Sequence, residues 1–265
     1  MAKAKRDKED GILELVKTIF WALVIAGFIR TLFFQPFWIP TGSMKSTMLI
    51  GDFMFINKMA YGYSRHSCPF SMCPFSGRIW AEEPERGDIA VFKNPADGRD
   101  FIKRVIGLPG DKLQMRNGVL FINDQEVPQV PAGIFEEVFE PQGSFKSIPR
   151  CRNNVAMGGT CEKEASIETL PNGKSYTVLN IANGPTGSFN MDNTPIYTVP
   201  PEHFFMMGDN RDNSGDSRNV SRTGVGYVPF ENFVGRADRI IVSSAGKRIL
   251  YFWTWRPDRF YLGLN

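Results

Sequence analysis

Two strings in this sequence set a hydroxyl and an amine where together they could carry out acyl transfer. The first is Pro40 to Asp52, PTGSMKSTMLIGD, in which Thr41 and Ser43 flank Gly42 directly after a rigid proline. Glycine lets the backbone turn sharply enough to expose the next side chain, which makes Ser43 a candidate nucleophile. Taken alone, such a serine usually reads only as a turn residue. The second string is Phe101 to Gly107, FIKRVIG, whose strand period of two puts Lys103 on the same face as Phe101 and Val105. A lysine held against an apolar face loses hydration, which disfavours the ammonium and lowers its pKa, as an amine requires if it is to take a proton from serine. The competing reading is an edge-strand lysine pointing at water. Arg104, on the opposite face, stays charged and cannot act as a base, so a structural partner is expected for it.

A third string, Phe204 to Arg218, FFMMGDNRDNSGDSR, runs from an apolar strand end into a loop of short polar side chains that can bond their own backbone. Calcium binding fits poorly. Counted from Asn210 the glycine falls correctly at Gly215, but position twelve is Ser221 rather than Glu, and Arg211 and Arg218 would repel a cation. A salt-bridged loop presenting a serine is the better reading. With only His66 and His203 in the chain, a three-histidine zinc site is excluded, and neither a metal nor another cofactor is expected. A histidine-dependent hydrolase using His203 is a rival, though no nucleophile-elbow motif accompanies it. A rival of another class is an anchored β-rich binding protein that uses the same loops without cleaving anything.

The elements that must position these residues begin with an apolar segment. Thr18 to Ile29 carries no charge, and from about Leu15 to Phe34 the stretch is long enough for one span, with Lys17 and Arg30 near enough to the ends to snorkel. No small-x-small cleavage site follows, so an uncleaved anchor is expected rather than a signal peptide. Lys3, Lys5, Arg6 and Lys8 precede it. By the positive-inside rule they keep the N-terminus in the cytoplasm and send everything after Pro36 across the membrane. The net charge of +3, with no dense basic run beyond the first eight residues, argues against a nucleic-acid partner.

Over the whole chain, 25 Gly and 18 Pro among 265 residues point to many turns and short strands. The clearest strand candidates are Gly51 to Tyr61, Gly87 to Phe92, Phe101 to Gly107, Lys112 to Val127, Thr177 to Ala182, Ile196 to Val199, His203 to Met207 and Gly235 to Ser243. Asn117-Gly118 is a hairpin signal, and most neighbouring strands should therefore be antiparallel. Patterning weakens from roughly Pro128 to Asn193, with turns such as PNG and NGP, which reads as an insertion. The cysteines fall in two close pairs, Cys68 with Cys73 and Cys151 with Cys161, neither at CxxC spacing. A Cys151–Cys161 bridge would suit an oxidising compartment; free thiols are the alternative.

In this order and separation the three strings, preceded by an anchor ending in FFQPFWIP, closely resemble the type I signal peptidases, which remove signal peptides from exported proteins. The resemblance covers roughly Leu13 to Asp111 and Val199 to Ala237, and the middle only loosely. It implies a mainly β fold: an antiparallel catalytic core with an inserted β-rich domain, behind one transmembrane helix. The corresponding boundaries are 1-12 for a basic cytoplasmic tail, 13-35 for the anchor, 36-111 and 200-265 for the core, and 112-199 for the insertion. The resemblance further implies Ser43 as nucleophile, Lys103 as base, and Thr41 with the Ser43 backbone N–H as oxyanion donors. It implies Ser214 as the residue that positions the lysine, and Arg104, Asp209, Asp216 and Arg218 as bracing ion pairs. Phe37, Ile39, Met44, Met48, Phe101 and Ile102 resemble the lining of the pockets for side chains one and three residues before the cut. The implied partners are preprotein signal peptides and the lipid bilayer, at the cytoplasmic membrane with catalysis on its outer side. One departure is Ser46, where the family usually has proline, which removes a restriction on the backbone of Lys45.

Overall fold

The structure is a computed structural model, and it describes residues 2–68, 71, 73–143, 145–181, 191–220, 224–246 and 249–264. Helix α1 (Ala2–Leu32) includes a stretch, Gly11–Leu32, that is long and apolar enough to cross a membrane and has no buried surface. Its 22 residues rise about 33 Å, against a hydrocarbon core of about 30 Å. The helix passes directly into β1 (Phe34–Trp38), and its last turn is tied down: Tyr63 Oη donates to Leu32 O at 2.5 Å and Lys58 N to Phe33 O at 3.0 Å.

The remaining strands are β2 (Asp52–Asn57), β3 (Ile89–Lys93), β4 (Asp100–Gly107), β5 (Lys112–Arg116), β6 (Val119–Ile122), β7 (Gln125–Glu126), β8 (Gln129–Val138), β9 (Thr160–Thr169), β10 (Ser175–Asn180), β11 (Tyr197–Thr198), β12 (His203–Met207), β13 (Val228–Pro229) and β14 (Phe233–Ser243). The main sheet has the order β1-β2-β14-β3-β4-β12-β13, and each neighbouring pair is antiparallel. Alternation on β2, DFMFIN, buries Met54 and Ile56 beneath the segment that carries Ser43, with Ile39, Met44, Met48, Ile89, Val91 and Ile102. A second cluster packs Tyr61, Phe92, Phe204 and Phe233 in mutual edge and tilted contacts.

The chain between β4 and β12 forms two smaller sheets, β11-β5-β6-β7 and β10-β9-β8. They share a core with the main sheet, since Leu113, Leu120, Val178 and Tyr197 pack with Ile106, Phe205 and Met207. The fold is thus mainly β and antiparallel with one N-terminal apolar helix, as the sequence indicates. The single candidate Lys112 to Val127 resolves into β5, β6 and β7, turning at Asn117 and Gly118, which take φ of 49° and 82°. Strands β8 and β9 were not legible. β9 turns Cys161, Lys163, Ala165 and Glu168 inward, so charge sits where an apolar period would be read, and β8 is mostly exposed. Ala182, the NGP turn at 183–185 and Ser221 lie outside the described residues. Both cysteine pairs are bridged, Cys68 to Cys73 and Cys151 to Cys161.

Candidate active site

Ser43 lies on the irregular segment between β1 and β2, where two glycines and a proline prevent continued pairing. The ends of that segment are closed by main-chain bonds, Ile39 N to Asp52 O at 2.9 Å and Gly51 N to Ile39 O at 3.0 Å. Gly51 has φ +96°, and a Cβ there would fall 2.0 Å from Ser244 O, so the position admits only glycine. Buried Met44 and Met48 anchor the loop to the core, and Met48 N donates to Met44 O at 2.8 Å.

Lys103 projects from β4 towards this loop. Its Nζ lies 2.6 Å from Ser43 Oγ and 3.0 Å from Ile102 O, and 5.4 Å from the centre of the Phe101 ring. Lys103 is 3% exposed and Ser43 7%. Burial pushes the Lys103 pKa down to about 8 from 10.5, while the Asp216 and Asp209 carboxylates work in the opposite direction. Their pull is limited because each is already matched by a guanidinium. Arg104 Nε and Nη2 donate to Asp209 at 2.9 and 2.7 Å, and Arg218 Nε and Nη2 donate to Asp216 at 2.9 Å each. Burial would raise the Asp216 pKa, but Arg218 outweighs it and holds the carboxyl below its usual range. Arg104 also donates to Gly87 O at 2.8 Å and stacks 4.0 Å from the centre of the Tyr176 ring, the structural partnership expected of it.

The third string closes over the serine. Gly208 lies where a Cβ would meet Ser214 Oγ at 2.2 Å and Ser43 O at 2.6 Å, so this glycine lets the two loops touch. Ser214 Oγ is buried beside the Asp216 carboxylate and makes no hydrogen bond to Lys103. Thr41, two residues before the serine, is exposed. Of the residues resembling a pocket lining, Phe37 and Phe101 keep exposed surface, whereas Ile39, Met44 and Met48 are wholly buried and Ile102 nearly so. His203 sits at the start of β12 with Nδ1 2.7 Å from Pro201 O, and His66 Nδ1 lies 2.9 Å from Ser71 Oγ; neither ring touches the serine.

Several participants were missed in the sequence. Asn210 donates from Nδ2 to Gly42 O at 2.8 Å and from its backbone N to Ser43 O at 3.1 Å, fixing both carbonyls around the serine. Thr47 Oγ1 donates to Asp209 Oδ2 at 2.5 Å. Arg259 reaches back to Asp52 Oδ2 at 2.6 Å and Thr47 O at 3.0 Å, and Arg256 Nη1 donates to Ile50 O at 3.1 Å. Behind the loop, Arg211 donates to Glu168 at 2.9 and 2.6 Å, and Tyr176 Oη also bonds this buried carboxylate. An asparagine or threonine in a polar loop reads as turn chemistry, and nothing in its spacing marks it as a clamp.

Chemically, a buried amine of lowered pKa in hydrogen-bond contact with a serine hydroxyl can deprotonate that hydroxyl. The family model for "Signal peptidase, peptidase S26" matches residues 12–242. Signal peptidase I of Rickettsia typhi (strain ATCC VR-144 / Wilmington) is 40% identical over 229 residues, covering 84% of this chain and 78% of that protein. Signal peptidase I of Rickettsia canadensis (strain McKiel) is 40% identical over 234 residues, covering 86% and 79% respectively. The match to a solved signal peptidase I from Enterococcus faecalis V583 covers 58% of this chain and 97% of that one, at 22% identity and a TM-score of 0.30.

Proposed function

Because the chain belongs to the signal peptidase family, peptidase S26, we propose that it is a membrane-anchored endopeptidase that removes signal peptides from exported preproteins with a Ser43–Lys103 pair. The observation that carries this reading is the 2.6 Å contact between Lys103 Nζ and Ser43 Oγ inside a buried site. Neutral Lys103 takes the hydroxyl proton as Oγ adds to the scissile carbonyl carbon, forming a tetrahedral oxyanion. The Ser43 backbone N–H and the Thr41 hydroxyl stabilise that oxyanion. Its collapse breaks the C–N bond, and the Lys103 ammonium returns the proton to the leaving amine of the mature protein. Water, deprotonated by the same lysine, then hydrolyses the ester and frees Ser43.

Ser214, buried next to Gly208 and the serine loop, holds the ammonium during the part of the cycle when Lys103 is protonated. The Arg104–Asp209 and Arg218–Asp216 pairs keep the surrounding carboxylates from trapping that proton. Phe37 and Phe101, which keep exposed surface, form the walls of shallow apolar pockets for small side chains before the cut, with buried Ile39, Met44, Met48 and Ile102 packed behind them as support. The catalytic core comprises 36-111 and 200-265, with 112-199 inserted into it. The basic start before the apolar helix sets the N-terminus in the cytoplasm, and the core lies on the outer face of the cytoplasmic membrane.

The test is cleavage of a preprotein by the full chain in detergent, comparing the parent with Ser43→Ala and Lys103→Ala. Both variants should lose turnover while remaining folded by circular dichroism. Full activity in either one would end the proposal.

A further inference from the structure

Lys45 follows the serine by two residues and is 5% exposed, yet nothing in the chemistry above uses it. Its aliphatic stem folds back over Gly42, where a Cβ would meet Lys45 Cε at 3.1 Å and Cδ at 3.3 Å. Its Nζ bonds the Glu137 carboxylate at the end of β8 and Gln142 Oε1 at 2.6 Å. Glu137 is held in turn by Lys163 Nζ at 2.7 Å and Gln142 Nε2 at 2.8 Å. Lys163 is wholly buried on β9, and Cys161, directly opposite Glu137 in the β8–β9 register, carries the Cys151 bridge. Next to this cluster Gly143, at φ +66°, lies where a Cβ would meet Pro40 O and Ile50 Cγ2, both at 2.9 Å.

A buried ion pair is a weak source of stability, since stripping water from both charges offsets most of their attraction, and an apolar side chain at position 45 would pack over Gly42 as well. What such a chain would lack is a directed link. The β8–β9 pair is an antiparallel ribbon whose connecting loop is tied to β9 by the Cys151–Cys161 bridge, and among the described residues the only charged bond to it from the segment Pro40 to Ile50 runs through Lys45.

We propose that the Lys45–Glu137 pair, with Gln142, is a positioning clamp by which the inserted β8–β9 ribbon sets the place of Gly42 and Ser43 relative to Lys103. Asn210 holds the same loop independently, through the Gly42 and Ser43 carbonyls. The Lys45 amine is bonded to Glu137 and Gln142 and not to the serine hydroxyl, so it acts through the geometry of the loop. The clamp deepens the Ser43–Lys103 reading and rests on it.

The experiment measures single-turnover cleavage of a preprotein by the full chain in detergent, with KM and thermal midpoints alongside, for K45M, K45R, E137Q, K45M/E137Q and S43A. Displacing a reacting group by a fraction of an ångström to an ångström costs about tenfold to a hundredfold in rate, so K45M and E137Q should each slow single-turnover cleavage by about that factor. KM should stay within about twofold, because the substrate-facing residues are untouched. The double variant should be no slower than the worse single one, and K45R should recover most of the rate. K45M at the parental rate with S43A inactive would overturn the clamp and leave the serine assignment standing. So would losses that multiply in the double variant, or that track a lowered thermal midpoint. An active S43A would overturn both.

Discussion

Replacing Lys103 with methionine should abolish cleavage and, at neutral pH, make the protein more stable. The buried Lys103 ammonium is disfavoured in the folded state, where the pKa falls to about 8, relative to 10.5 in the unfolded chain. That difference corresponds to about 3 kcal/mol at about 1.4 kcal/mol per pKa unit. The penalty is present in full below about pH 8, where both states carry the proton. Between about 8 and 10.5 the unfolded chain binds the proton and the folded one does not, so the parent gains stability as pH rises through that window. Methionine carries no charge and pays none of this cost. The assay is thermal or denaturant unfolding of the full chain in detergent, parent against Lys103→Met, at several pH values from 6 to 10. The variant should lead by an amount on the order of 3 kcal/mol at pH 7, less the lost bond to Ser43. Its lead should shrink steadily above about pH 8. A variant less stable than the parent at pH 7, or a lead indifferent to pH, would refute the claim that burial of this amine governs the site.

For the parent, activity should rise with pH in its acid limb, because the base is the neutral amine. With a pKa near 8 about a tenth of the lysine is neutral at pH 7, so the rate there should be about a tenth of the plateau, as a pH–rate profile would read. Thr41→Val should slow turnover by an amount on the order of 3 kcal/mol of barrier, well short of the loss from Ser43→Ala, as kcat measurements on both will report. Gly208→Ala forces a Cβ to within 2.2 Å of Ser214 Oγ and 2.6 Å of Ser43 O, and should yield inactive or unfolded protein by cleavage assay and circular dichroism. His66→Gln with His203→Gln should leave kcat within about twofold, since neither ring touches the serine; a large loss would revive the histidine-dependent reading.

How far the sequence revealed the site follows from how each residue is held. Local rules made the hydroxyl at Ser43 and the amine at Lys103 candidates, through a glycine-hinged turn and a strand of period two with apolar neighbours, and the resemblance of the combined motifs singled them out. Arg104 was legible as a charge needing a partner. Asn210, Thr47 and Arg259 were not, because their roles are bonds to backbone carbonyls and side chains far along the chain, at separations of 168, 162 and 212 residues. Lys45 and Lys163 defeated the period rule more directly, as both are buried where hydrophobic patterning looks for aliphatic side chains. Glu168, buried on β9 against Arg211, did the same, and β8 is mostly exposed, so both strands were lost in a stretch that read only as an insertion. The pocket residues show the opposite limit. Resemblance nominates Met44 and Met48 for contact with substrate, but only coordinates reveal that neither reaches the surface.

Strand β14 lies between β2 and β3 in the main sheet, although β2 and β3 are far closer to each other in the chain. A ribosome making this protein therefore releases the serine loop and the lysine strand long before it releases the ribbon that joins their supports. Until residues 233–243 emerge, β2 has no neighbour on one side and the half-built core is open. The order of the sheet thus defers the pairing of β2 with β14, and of β14 with β3, until that segment has been made.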